Sequence, residues 1–357
     1  IVDLIGTKMG YIVSIILWSI AAMLHALARS TLGFMGARAL LGLGEAGNFP
    51  TAIKSVAEWF PKKERAFATG IFNSGANIGA VVAPVMVPWI LGAYGWQEAF
   101  LITGAIGFIW LIFWQIYYEV PARQKRLSEA EYAHIHSDQE EEQDSKPVRW
   151  LQLFRIRATW AFVFGKLLTD PIWWFFLFWL PSYFATTFQL DLKKPSLPLV
   201  IVYTATTLGS IGGGYLSSWF IQRGWTPFRA RKTAMLMFAV AVLPIMAAQF
   251  ATSLWQAVAL ISLAAAAHQA WSANMYTTAS DVFPKKAISS VIGIGGMAGS
   301  VGGILFPLLV GRLLDFYKAA GDIGDGYDIL FVISGLAYLL AWGMMHLFTP
   351  RARKVDI

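Results

Sequence analysis

No cysteine occurs in the 357 residues, which excludes a disulfide, a thiol nucleophile and a thiolate metal site. Charge is scarce too. Asp, Glu, Lys and Arg make up 14% of the chain, where a soluble protein is nearer about a quarter. No metal-ligand cluster, nucleophile motif or phosphate-binding loop is present, so an enzyme lacks a convergent catalytic set. Neither a cofactor nor a metal is expected. The net charge of +7 does not point to nucleic acid, because no basic face alternates with aromatic residues.

What is abundant is apolar surface. Hydrophobic residues reach 57%, with 16 tryptophans and 25 phenylalanines, and the mean hydropathy is +0.55. This is the composition of a chain with lipid-facing walls and aromatic interfacial belts. Apolar runs, each sufficient for the roughly 20 residues of a crossing, extend over about Gly10–Leu27, Thr31–Val56, Ala66–Tyr94 and Gln97–Tyr118. Six more follow at about Ala158–Thr187, Leu197–Gln222, Ala230–Phe250, Leu254–Val282, Ala287–Phe316 and Tyr327–Thr349. The expectation is an all-α integral membrane protein with ten transmembrane helices in this sequence. Residues 1–119 form a first half, 120–157 a polar linker and 158–357 a second half of six helices. In the linker, Ser128 and Glu131 predict a capping box at the start of a short surface helix, with Leu127 and Tyr132 as its hydrophobic staple. The acidic run from Asp138 to Asp144 reads as solvated chain.

Lysine and arginine are distributed unevenly. One side receives Lys8, the Lys62–Arg65 turn, the linker, Arg223 to Lys232, Lys285, Lys286 and the C-terminal basic residues. The other receives only Arg29, Lys193, Lys194 and Lys318. The basic side is expected to be cytoplasmic, which places the linker and both chain ends inside.

The chain also repeats itself. The stretch from Glu58 to Val87, shifted by 223 positions without a gap, lands on Asp281 to Val310. Phe60, Pro61, Lys62 and Lys63 fall on Phe283, Pro284, Lys285 and Lys286, while Gly70, Gly79 and Pro84 fall on Gly293, Gly302 and Pro307. Each half therefore has a basic turn feeding a glycine-rich helix.

Two related helical halves joined by a linker, with a polar turn Asp3-Leu-Ile-Gly6-Thr-Lys8 and its counterpart from Arg223 to Lys232, resemble the major facilitator transporters. In that family these turns latch the halves, which implies gating roles for Asp3, Gly6, Lys8, Arg223 and Arg231. The stretches Gly42–Pro50, Ala57–Pro61, Asp170–Pro181, Ala267–Ser272 and Ser280–Phe283 resemble, within it, the anion:cation symporters and most closely the bacterial hexuronate transporters. The resemblance implies a major facilitator fold of two six-helix halves, a substrate site at the midplane between them, and residence in the bacterial inner membrane as a monomer. It also implies that two helices, roughly 60–70 residues at about 20 per crossing plus turns, precede Ile1. The function implied is proton-driven uptake of a sugar acid such as glucuronate or galacturonate. A carrier of another organic anion, or an exporter, is the alternative.

Polar residues inside apolar runs are costly, and they mark ion or substrate paths. Glu45 is the candidate proton carrier, since burial raises a carboxyl pKa and protonation removes its charge. Arg38, two turns earlier on the same face, is either its partner or a ligand for a substrate carboxylate. Lys166 and Asp170, four residues apart, read either as a self-satisfied pair or as a cation that meets the anionic substrate beside a carboxylate that holds it. Asn73 and Asn77 share a helix face and offer amide donors and acceptors to sugar hydroxyls; interhelical bonding is the other reading. His268, Gln269, Ser272 and Asn274 supply further polar groups, and Trp174 could stack on a sugar face. In the second half, Gly295 and Gly296 stand where the resemblance would put a hydroxyl-binding asparagine or threonine, which leaves the choice of sugar acid open.

Overall fold

The computed structural model describes residues 2–137, 150–190 and 196–351. The acidic run of the linker, Lys193, Lys194 and the C-terminal Arg353 and Lys354 lie outside the described residues. Within them the chain is helical and contains no strand.

A short helix α1 (Val2–Ile5) turns at Gly6 into α2 (Thr7–Leu24), then come α3 (Thr31–Glu45), α4 (Asn48–Trp59), α5 (Lys62–Ala93) and α6 (Trp96–Tyr117). The surface helix α7 (Glu129–His136) begins with the expected capping box: Ser128 Oγ accepts from Glu131 N, and the Glu131 side chain accepts from Ser128 N. These hydrogen bonds hold the Glu131 carboxyl below its ordinary pKa. A single turn α8 (Trp150–Leu153) leads into α9 (Arg157–Phe178), α10 (Leu180–Phe188) and α11 (Leu197–Gln222). Next is α12 (Pro227–Val242), which tightens into a 3-10 segment over Leu243–Phe250, followed by α13 (Leu254–Val282), α14 (Lys285–Ala320) and α15 (Ile323–Phe348).

Seven of these helical passages, among the described residues, are long and apolar enough to cross a membrane. On α6, Ile102, Ile106, Ile109, Ile112, Phe113 and Ile116 all point outward, an exposed apolar wall of the kind that meets lipid. Leu254–Val282 is as long but less apolar, because His268, Gln269, Ser272 and Asn274 lie along it. The run expected to be continuous from Thr31 to Val56 is instead two helices, parted at Ala46 and Gly47. There α2 comes so close that a Cβ on Gly47 would stand 2.0 Å from Ser14 Oγ. The run expected over Ala158–Thr187 is likewise divided at Trp179, with Pro181 in the first turn of α10.

The sequence repeat recurs in the helix ends. α4 ends at Trp59 and α13 at Val282; α5 starts at Lys62 behind a Pro61 N-cap, and α14 at Lys285 behind a Pro284 N-cap. Each of these pairs is 223 positions apart.

Small residues set how closely the helices approach. A Cβ on Gly213 would lie 2.4 Å from Ala270 Cα of α13, and one on Gly214, about 100° further around α11, 2.1 Å from the Ala66 carbonyl of α5. α11 is thus wedged between the two neighbours. On α14, Gly295 faces Phe162, Gly299 faces Asp170 and Gly302 faces Pro171, all on α9. Van der Waals packing drives helix association in lipid, and such small-residue ridges let the backbones come close enough for it. The main apolar cluster, including Phe175, Phe176, Trp271, Phe331 and Tyr338, fills the space among α9, α13 and α15.

At the basic-loop end, polar side chains tie the two repeats together. Asp281 lies 3.2 Å from Arg231 Nε and 3.5 Å from Arg65 Nη1. Arg231 is fully buried and also donates to Ser217 Oγ and to the Lys62 carbonyl, at 3.0 and 2.6 Å. Arg65 donates to the carbonyls of Ala57, Phe60 and Ser280. On the opposite side Asp3 pairs with Lys54 at 3.0 Å and accepts from Ser290 N and Ser290 Oγ at 2.7 and 2.8 Å. The first-repeat turn therefore clasps the start of α14, and the second-repeat turn clasps the start of α5.

We expect these contacts to keep the basic-loop end closed. The absence of native cysteine makes this directly testable with Thr69→Cys, at a position that is 1% exposed on α5. Breaking a buried pair by removing one partner costs about 3–5 kcal/mol, so Arg231→Ala should raise the rate of labelling at that cysteine by a membrane-impermeant maleimide at least tenfold (about 1.4 kcal/mol). Equal rates in the two backgrounds would show that the clasp does not hold this end shut.

Candidate functional site

Midway along α9, one turn apart, lie the charged pair Lys166 and Asp170. Lys166 Nζ lies 2.7 Å from Asp170 Oδ2 and donates to the Tyr276 hydroxyl of α13, also at 2.7 Å. The ammonium also sits 4.4 Å from the centre of the Tyr276 ring, within cation–π range. The Lys166 side chain is 6% exposed and that of Asp170 21%. Asp170 can be seated there because Gly299 of α14 has no side chain; a Cβ would come 2.1 Å from Asp170 Oδ2. On its other side, Tyr276 stacks on Phe49 of α4, ring centres 5.2 Å apart. The pair is therefore enclosed by helices of both repeats.

A second polar cluster lies on the same face of α13. Asn73 of α5 donates through Nδ2 to Gln269 Oε1 at 2.7 Å and to Ser210 Oγ of α11 at 3.1 Å, and Ser210 Oγ donates to the Gly70 carbonyl at 2.9 Å. Gln269 and Tyr276 are seven positions apart on α13, two turns and about 10 Å along the axis. Ser272 lies between them on that face and is half-buried. The arrangement sets a buried cation at one end of a helix face and amide groups at the other. A cation can bind a carboxylate through charge-assisted hydrogen bonds, and amides both donate to and accept from hydroxyls.

The remaining expected residues lie around this face. His268 is stacked parallel on Trp173, centres 5.2 Å apart, and its Nδ1 is hydrogen-bonded to the Tyr338 hydroxyl; it packs behind the Lys166 pair. Asn274 is fully buried and donates through Nδ2 to the carbonyls of Gly213 and Ala270, both at 2.9 Å, stitching α13 to α11. Trp174 stacks on Phe178 and its ring edge covers Gly303. Asn77 lies on α5, and its side chain is outside the described residues. Glu45 ends α3, one residue before the break, and Arg38 lies on the same helix; both are exposed and no ion pair joins them. Of the residues expected to gate, Asp3 and Arg231 make the contacts between the repeats at the basic-loop end. Gly6 supplies a positive φ of 83° at the start of α2. Lys8 pairs with Glu119 at 2.9 Å, within its own repeat, and this hydrogen bond holds the Glu119 carboxyl below its ordinary pKa. Arg223 covers the Trp219 ring, 4.0 Å from its centre, at the end of α11.

Sequence reasoning missed Tyr276, Lys54 and the pairing of Arg65 and Arg231 with Asp281. The repeat offered no template for the last: Asp281 is the counterpart of Glu58 and Arg231 that of Lys8, but Lys8 pairs with Glu119 and Glu58 accepts from Thr7 and Tyr118. For Tyr276 there was no signal either, because an aromatic in an apolar helix has no mark of its own.

Comparison with known proteins bears on the whole chain. Residues 1–307 match the family model described as Major Facilitator Superfamily. The chain is 35% identical over 353 residues to the hexuronate transporter of Escherichia coli (strain K12), covering 97% of this chain and 80% of that protein. It is 37% identical over 223 residues to the galacturonate transporter of Dickeya chrysanthemi, covering 62% of this chain and 65% of that protein. Among solved structures, the proton:xylose symporter XylE superposes with a TM-score of 0.72 at 15% identity, over 97% of this chain and 81% of that one; at that identity the likeness speaks for the fold. The chain is a multi-pass membrane protein that belongs to the Major Facilitator Superfamily of transporters.

Proposed function

We propose that this protein is a proton-coupled symporter that imports a hexuronate, or a closely related sugar-acid anion, by alternating access. The observation that carries the reading is the buried Lys166 ammonium, held between Asp170 and Tyr276 on the helix face that also presents Gln269 and its partner Asn73. Similarity to transporters named for hexuronate and galacturonate supports it. The substrate carboxylate goes to Lys166, and its hydroxyls go to the amides and to Ser272. A protonatable carboxylate at Glu45, beside the α3–α4 break and four residues before Phe49, takes a proton that accompanies substrate. Residues 1–119 and 158–357 rock as two bodies about the midplane, with the 120–157 linker on the cytoplasmic face of the bacterial inner membrane and the carrier acting as a monomer. Closure of the basic-loop end by the Asp281 and Asp3 clasps fits a state that receives substrate from the opposite side.

The test is uptake of labelled glucuronate and galacturonate by the full-length protein in proteoliposomes, with and without an inward proton gradient. Gradient-driven accumulation is expected in the wild type and is expected to be reduced in Glu45→Gln. Accumulation equal to that of the wild type in that variant would remove Glu45 from the coupling. Absence of uptake for both sugar acids would remove the hexuronate assignment in favour of another organic anion. A hydrogen bond to a charged group contributes about 1.5–3 kcal/mol. Lys166→Ala should therefore weaken binding of either sugar acid by about tenfold to a hundredfold, read by equilibrium binding in detergent; an unchanged Kd would place the carboxylate elsewhere.

A further inference from the structure

We propose that Asp170 is a second protonation site, whose carboxylate occupies the substrate's place on Lys166 in the empty carrier and yields it on taking up a proton. The inference rests on the reading of Lys166 as the substrate carboxylate's partner.

The argument is one of charge in a confined space. Lys166 and Asp170 face each other at 2.7 Å and together are neutral. The titratable groups around them are Tyr276 and His268 from α13 and Tyr338 from α15. α14 presents only the bare backbone of Gly299 to the Asp170 carboxylate, and α4 presents the Phe49 ring to Tyr276. With the tyrosines and the histidine neutral, there is one cation for one anion. A substrate carboxylate that joins them would leave one cation between two anions, an uncompensated negative charge in a buried site, which is strongly destabilising. One proton on Asp170 restores neutrality. The proton comes from water on the open side and adds to a carboxylate oxygen of Asp170. The Lys166 ammonium, never deprotonated, exchanges one carboxylate partner for another. When the anion leaves on the far side, Asp170 returns its proton to water there and pairs with Lys166 again. Each turn carries one anion and one proton through this site, and its charge is zero at both ends.

Gly299 gives a second handle. A Cβ placed on it meets the flexible end of Asp170, not backbone, so Gly299→Ala should turn the carboxylate away from Lys166 without dismantling α14.

The experiment uses full-length protein in detergent, in weakly buffered solution with a pH indicator, and counts protons taken up as glucuronate binds. It is run in the wild type, Asp170→Asn, Gly299→Ala and, to subtract any share from the α3 carboxylate, Glu45→Gln. Asp170→Asn is expected to take up one proton fewer per anion than the wild type, and Glu45→Gln is expected to retain the proton that belongs to Asp170. The affinity of the wild type should fall by up to about tenfold per pH unit for each linked proton above the titration of Asp170, with a shallower fall in Asp170→Asn and in Gly299→Ala. Should Asp170→Asn fail to fold, the Gly299→Ala comparison decides alone. Proton counts and pH slopes equal to wild type in the folded variants would overturn the inference while leaving the symporter reading intact. A wild type that binds neither glucuronate nor galacturonate would overturn that reading, and this inference with it.

Discussion

A charge carried into a hydrocarbon medium must be neutralised where it stands, because no water is at hand to do it. The polar interior of this protein is organised by that constraint. Lys166 has Asp170, Lys54 has Asp3, and the two guanidiniums of Arg65 and Arg231 converge on Asp281 and on backbone carbonyls. Lys166, paired with Asp170 on its own helix, reaches α13 through Tyr276, and the other two sets tether separate helices. The last two lie where the repeats meet at the basic-loop end, and the first lies deeper, enclosed from both sides. The chain uses scarce charge twice, once to satisfy itself and once to fasten elements that a carrier must be able to separate.

The glycine ridges serve the same end. Gly213 and Gly214 on α11 and Gly295, Gly299 and Gly302 on α14 let neighbouring helices approach closely. Gly299 connects the two themes: its missing side chain is the space that the Asp170 carboxylate fills. Close packing without large interlocking side chains also leaves surfaces that slide, as the proposed rocking of the halves about a fixed site requires.

Much of this was legible in the sequence. Length and hydropathy marked the apolar passages, the gapless repeat marked which helix starts correspond, and Ser128 with Glu131 marked a cap that forms as expected. The i,i+4 spacing of Lys166 and Asp170 placed them on one helix face, and they do pair. Less legible was continuity. The breaks at Gly47 and Trp179 fall inside apolar runs, where hydropathy cannot distinguish one helix from two; the first depends on how closely α2 passes. The pairing of Glu45 with Arg38 was also open on sequence grounds, and the structure leaves both exposed and apart.

The sequence alone thus determined a helical membrane protein built on a repeat, with a few polar residues in apolar helices, because length, composition and periodicity act locally along the chain. Which of those residues meet was decided by tertiary structure. Asn73 finds Gln269, Arg231 finds Asp281, and Tyr276 joins Lys166 across separations of 196, 50 and 110 positions. The physical reason is that a buried polar group must find a partner, but the chain does not state which helix will bring it. The angle and closeness of packing, set by small residues on α11 and α14, supply that choice.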